Sequence, residues 1–400
     1  MNNSGAYNPQ LDQFHRMLGF LERDPGNVSL MENVVSMGVD IQEWNAVEGL
    51  LSEATKRGMR TPKLLAYHGT VVLRAGDIET AKAFFKDAHE GGLSDDGINY
   101  NLAFCHYLSG EYSEALLCLN SESSEDFARE YSVLYARCQH HLGEISEAIS
   151  RLQRCEACAT DIEAQALLSL LTYDSGELEL AIAKASAVLD LVVPGKRSMD
   201  ALLAKGGALT DLRRYDEAAP LFEELTQGFP DIGRGWYGLA LLQFNNFKID
   251  EALESITIAL KTMADHLGSW HLQAWCYISR SELDGALEAF KTAYKLDRGF
   301  GETHGGLAAV YALQGERALA NKHLKLARKL NAAGMATIYA EMVMLNRSGQ
   351  HEQAKKLFDT AKSAKNEQLG VIPEILINER LEALSREGGP IDVGENNVGH

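Results

Sequence analysis

The chain has 400 residues, 46% hydrophobic and 24% charged, the balance of a folded protein with a large core, which excludes global disorder. Its 38 Lys and Arg against 56 Asp and Glu leave a net charge of −18, which repels phosphate backbones and anionic bilayers and sets nucleic acid aside as a general partner. The first residues lack a secretory pattern and no stretch approaches the ~20 apolar residues of a membrane span, so the expectation is a cytoplasmic protein whose 6 irregularly spaced cysteines are free thiols.

Taken in chain order, residues 1–27 place Leu11, Phe14, Met17, Leu18 and Leu21 at helical spacing, which predicts an N-terminal tail with one amphipathic capping helix. From 28 to 365 one pattern recurs. A small or apolar anchor is followed by an apolar residue at +4 and a mostly small one at +7, first at Val47/Leu51/Ala54 and last at Ala354/Phe358/Ala361. The anchors are Val47, Ala81, Ala115, Ala148, Ala181, Ala218, Ala252, Ala286, Ala320 and Ala354, separated by 34, 34, 33, 33, 37, 34, 34, 34 and 34 residues. These offsets share one helical stripe and define a helix B.

Twelve residues before the anchor, Gly69, Ala103, Ala136, Gly206, Ala240, Ala274 and Ala308 mark the close-approach site of a helix A. Five before it, Gly76, Gly110, Gly143, Gly176, Gly315 and Gly349 are expected to end helix A in a left-handed cap. Asp77, Glu111, Glu144, Glu177 and Glu316 follow, at the positive end of helix B. Prolines respect this scheme: Pro62 starts a helix A, Pro194 falls in the one stretched linker, and Pro220 is expected in the first turn of a helix B. Residues 366–387, chiefly Ile372 to Leu384, predict a C-terminal capping helix, and 388–400 a disordered tail.

These residues resemble the tetratricopeptide repeat family. The likeness is fullest where Trp236, Leu239, Ala240, Ala252 and Ala259, then Trp270, Ala274, Tyr277, Ala286, Phe290 and Ala293, then Leu307, Ala308, Tyr311, Ala320 and Ala327 fall on its signature. The closing proline of the signature occurs once, at Pro230. The resemblance implies an all-α, right-handed α-solenoid of about ten helix pairs with terminal caps. It also implies that helix A lines a concave face through its second, fifth, ninth and twelfth positions. In this sequence those positions give Tyr100, Phe104 and Tyr107, then Arg137 and His140, then Tyr173, then Arg234, Tyr237 and Phe244, then His271 and Trp275, then Tyr339. Rigid aromatics and arginine concentrate energy at interfaces, so these twelve are the candidate partner-binding residues.

No nucleophile elbow, phosphate loop or metalloprotease motif occurs, so no catalytic residue, cofactor or resident metal is expected. Cys155-Glu156-Ala157-Cys158 is the one CxxC; zinc would need two further ligands, and of Cys138, His140 and His141 only one histidine could turn toward it. It therefore reads as packed thiols. The lysine and asparagine clamp that family members use for acidic C-terminal tails is not matched by Tyr100, Glu130, Val133 and Arg137. Residues 110–165 carry 4 basic and 11 acidic side chains (−7), and 315–366 carry 10 and 4 (+6).

The sequence thus points to a non-catalytic scaffold that binds a protein or peptide segment in its concave groove. Two other readings stay open: an assembly component of a secretion or pilus type of machine working through convex or terminal surfaces, with homo-oligomerisation, and a peptide-responsive regulator.

Overall fold

The computed structural model describes residues 9–119, 124–331 and 334–363; the expected C-terminal cap at 366–387 and tail at 388–400 lie outside these. Among the described residues are 21 α-helices, two single-turn 3-10 helices and no strand, so the fold is all-α, of the solenoid class built from stacked helix pairs.

The chain divides into two compact units, Met1–Glu177 and Leu178–His400. In unit 1, α1 (Pro9–Arg23) precedes the pairs α2/α3 (Val28–Asp40, Trp44–Lys56), α4/α5 (Pro62–Arg74, Ile78–Glu90), α6/α7 (Asp96–Leu108, Tyr112–Cys118) and α8/α9 (Ala128–His141, Ile145–Arg154), then α10 (Ile162–Asp174). Unit 2 begins with α11 (Leu178–Leu189). There follow α12/α13 (Met199–Asp211, Tyr215–Gly228), α14/α15 (Gly233–Asn245, Ile249–Thr262), α16/α17 (Leu267–Ser279, Leu283–Leu296), α18/α19 (Gly301–Gln314, Arg317–Asn331) and α20/α21 (Met335–Arg347, His351–Ser363).

All ten anchors are buried, and so are the sites twelve residues before them, including Val35 and Met342 where the pattern departs from small residues. The reason is steric. The aromatic ring at +4 lies flat on the small site of its own helix A: a methyl group added to Gly69 would stand 2.9 Å from Phe85, and one added to Gly206 would stand 3.1 Å from Phe222. At the N-terminus, Phe14 and Leu21 of α1 bury against Met31, Val34 and Val35, closing the apolar face that the first pair would otherwise expose.

The turn that precedes helix B is the same before all ten anchors. At the position five before each anchor the backbone is left-handed, through Gly76, Gly110, Gly143, Gly176, Gly315 and Gly349 and also through Gln42, Arg213, Phe247 and Ser281, with φ of 60–63° in those four. The amide one residue on then reaches five residues back, as in Asp77 to Val72 O (3.2 Å) and Arg214 to Leu209 O (2.8 Å), the double closure that satisfies the last carbonyls of a helix. Left-handed backbone costs an L-residue ~1–2 kcal/mol, partly offset because glycine loses more entropy on folding. Arg213→Gly, at an exposed side chain, should therefore raise stability by ~0.5–1 kcal/mol, seen as a higher urea midpoint; a lower midpoint would contradict the strain argument.

The acids stand at the helix N-termini as expected but differ in what they bind, and the expectation for Pro220 needs correction. Of the acids after the glycine, Asp77 caps its helix through the Thr80 amide (3.1 Å), whereas Glu111 makes no such bond and turns to His106 (2.6 Å) and Lys82 (3.1 Å), because its longer side chain finds charged partners within reach. Pro220 is the sixth residue of α13, past the first turn; it is exposed, so the Asp216 carbonyl it leaves without an amide lies on a solvent-facing stripe.

Candidate partner-binding surface

In unit 1 one stripe of α6 is a ladder of half-buried rings. Tyr100 and Phe104 stack with centroids 6.2 Å apart, Phe104 and Tyr107 follow at 6.4 Å, and Tyr100 continues onto Tyr131 of α8 at 6.3 Å. Spacing of i, i+4, i+7 brings three rings of one helix onto one line. At its far end Tyr107 meets the edge of His141 (5.6 Å), which stacks on Tyr112 (4.4 Å). Burial, then the neighbouring His140 and Arg137, holds His141 below its ordinary pKa, so its ring is neutral where it stacks.

Beside the ladder the basic side chains are already engaged. Arg137 lies 3.5 Å from Glu163, and His140 Nε2 is 2.7 Å from Asp174 on α10, next to the half-buried Tyr173. Arg129 joins Glu130 (2.8 Å), Asp161 (3.4 Å) and Glu163 (3.6 Å). Burial, and after it Glu163 and Glu130, raises the pKa of Tyr100, so its hydroxyl stays protonated and able to donate. The result is an apolar, aromatic strip with an acidic margin.

Unit 2 places the same stripe differently. Arg234, Tyr237 and Leu241 of α14 are half-buried, with Tyr237 edge-on to His266 at 4.9 Å. Phe244, His271, Trp275 and Tyr339 are buried in one core cluster or against it, which corrects the expectation that they offer contact surface. The cause lies in α18, which is rich in glycine and alanine. A methyl group on Gly305 would stand 2.6 Å from the Thr337 amide nitrogen of α20, and one on Gly306 would stand 2.3 Å from the Phe290 ring. With so little bulk between them, Trp275 of α16 and Tyr339 of α20 meet edge to face at 5.4 Å, and Trp275 also abuts Phe290 at 5.6 Å. His271 Nε2 is hydrogen-bonded with Thr303 Oγ1 at 2.8 Å, and burial lowers its pKa to about 4.

Sequence reasoning missed Tyr112, Tyr131, His141, Glu163 and Asp174. Glu163 occupies the second helix A position of its repeat and was therefore within reach of the same rule; Tyr112 and His141 lie outside the four positions. A repeated pin was also missed. Trp236 Nε1 donates to Pro230 O (2.7 Å), Trp270 Nε1 to Ala264 O (2.8 Å), and in the next repeat His304 Nε2 takes the same role toward Arg298 O (3.0 Å).

The sequence profile described as Tetratricopeptide repeat matches residues 166–231 and 203–263, within the run of identical helix pairs just described. Residues 166–263 thus match the tetratricopeptide-repeat family. Among solved structures, this chain is similar to PilF of Pseudomonas aeruginosa at 18% identity, over 53% of this chain and 96% of that one, with a TM-score of 0.46. It is similar to YrrB, a TPR protein with an unusual peptide-binding site, at 21% identity over 49% and 97% with a TM-score of 0.38, and to MamA at 20% over 40% and 92% with 0.36. No curated protein matches the chain. Tetratricopeptide repeats are a protein-interaction fold. No described helix is long and apolar enough to cross a membrane, and among the described residues no group of three or more His, Cys, Asp or Glu is placed to hold a metal.

Proposed function

We propose that this protein is a non-catalytic cytoplasmic adaptor that captures an extended segment of another protein across the inward face of α6, α8 and α10. The observation that carries this reading is the half-buried ladder of Tyr100, Phe104 and Tyr107, in contrast to the closed stripe of Phe244, His271, Trp275 and Tyr339. Rings of this kind gain by desolvation with little rotamer loss. Because Arg137 and His140 already face Glu163 and Asp174, an incoming carboxylate would have to displace a bound one. The acidic margin favours a segment of apolar or aromatic side chains flanked by Lys or Arg.

The test is selection of peptides from a displayed random library against the whole chain, followed by titration. The expected ligands are apolar with basic flanks, and Tyr100→Ala with Phe104→Ala should weaken them by ~100-fold or more, on the scale of two interface anchors. Circular dichroism checks that the double variant is folded. Undiminished binding by a folded double variant would move the site elsewhere. A second reading, self-assembly, draws on the charge contrast between −7 at 110–165 and +6 at 315–366. Light scattering separates the two, since assembly requires the apparent mass to grow with concentration.

A further inference from the structure

We propose that Cys155 and Cys158 form a reversible redox site, closing an intramolecular disulfide by exchange with a low-molecular-weight disulfide such as oxidised glutathione. Cys155 ends α9 in extended backbone (φ −83°, ψ 109°), and the Cys158 amide donates to its carbonyl at 3.1 Å. Such a four-residue turn holds its end Cα atoms within ~7 Å. That overlaps the ~4.4–6.8 Å of disulfides, so the two residues are within bridging range.

The two thiols are unequal in the way exchange chemistry needs. Cys155 is half-buried and its Sγ donates to Ala128 O of α8 at 3.5 Å, whereas Cys158 is fully buried. Burial raises the Cys155 pKa, but hydrogen bonds from the Cys158 thiol, the Ser132 hydroxyl and the amides of Cys158 and Ala157 outweigh it, leaving the group below its ordinary value. Burial first, and then Cys155, pushes Cys158 up to about 12. Burial raises the other four: Cys105 to about 11, Cys138 and Cys276 to about 12, and Cys118 by a smaller step. One thiol of the 6 is therefore set apart as the attacking group, and its resolving partner lies three residues on.

In the first step the Cys155 thiolate attacks one sulfur of the small disulfide, whose S–S bond breaks and releases one thiolate. In the second, the Cys158 sulfur loses its proton to the solvent or the released thiolate and attacks Cys155 Sγ, expelling the second small thiol. Two protein S–H bonds are lost, one protein S–S bond is formed, and the small disulfide is reduced to two thiols. Closure removes the Cys155 S–H that donates to Ala128 O, so a hydrogen bond to α8, the helix that carries Arg137 and His140, is lost. The proposal stands independently of what that face binds.

The full chain is incubated with oxidised glutathione and its peptides are weighed. The expected result is a loss of two hydrogens confined to the peptide holding 155–158 and reversed by dithiothreitol. Cys158→Ser should then trap one glutathione on Cys155, and Cys155→Ser should take none on Cys158. In the unaltered chain, iodoacetamide at neutral pH should label Cys155 ~10-fold faster than Cys118. An unaltered chain that keeps both hydrogens in excess oxidised glutathione, or that labels Cys155 no faster than Cys118, overturns the assignment without relying on any variant.

Discussion

Phe290→Ala should remove ~3–5 kcal/mol from the stability of unit 2. The ring is fully buried at the +4 position of its repeat, edge-on to Trp275 at 5.6 Å and to His271 at 5.4 Å, and the absent side chain of Gly306 leaves the room it fills. Its neighbours are rigid rings and alanines on helices fixed by their own pairs, so the cavity cannot collapse and nearly the whole transfer and cavity loss is felt. Urea unfolding followed by tryptophan fluorescence reads this directly, since Trp236, Trp270 and Trp275 all lie in unit 2. Phe358→Ala, at the same +4 position but half-buried, should lose visibly less. Equal losses, or one below ~1 kcal/mol for Phe290→Ala, would mean that the cluster around α18 is not the tight core described.

Acid should weaken the fold through its buried histidines. The pKa of buried His271 is lowered to about 4 by burial, against an unperturbed 6.5, so the unfolded chain binds more protons across that interval. The sign follows: the stability held by keeping this ring neutral is complete above pH 6.5 and is lost as pH falls through 6.5 toward 4. At pH 4.5 the loss from His271 alone is ~2–3 kcal/mol. His323, lowered to about 4 by burial and then His304 and Lys322, acts in the same direction, as do His68, His141 and His266, each lowered chiefly by burial. Urea midpoints at pH 7.5 and 4.5 test this. His271→Gln, which can still bond Thr303, should show a shallower decline than the unaltered chain. Parallel declines would show that His271 does not carry the acid sensitivity.

Much of the architecture was legible because a repeat writes each structural requirement many times. The anchor, the small site twelve residues before it and the six glycines each recur at fixed spacing, and each is a local demand: close approach of two helices, or a left-handed cap. The four caps made by Gln42, Arg213, Phe247 and Ser281 were illegible individually, since glycine is favoured there but not obligatory once the pair closes around the turn. The misplaced first turn at Pro220 has a similar origin: a proline on a solvent-facing stripe is tolerated one turn deeper than the general rule suggests.

The candidate stripe was legible only as a set of positions. Tyr100, Phe104 and Tyr107 share theirs with Phe244, Trp275 and Tyr339, and the residue types match, yet the first three are half-buried and the second three buried. Nothing within a helix of 13 or 14 residues separates the two groups. What the amino-acid order fixed by itself was the length of the repeat, the pairing of helices and the faces they turn to one another, because those depend on spacing inside one unit. Which of the stripe's side chains stay accessible was decided in three dimensions. The glycines of α18 bring α20 close and let Trp275 and Tyr339, 64 residues apart, close over them, and that contact has no signature at short range in the chain.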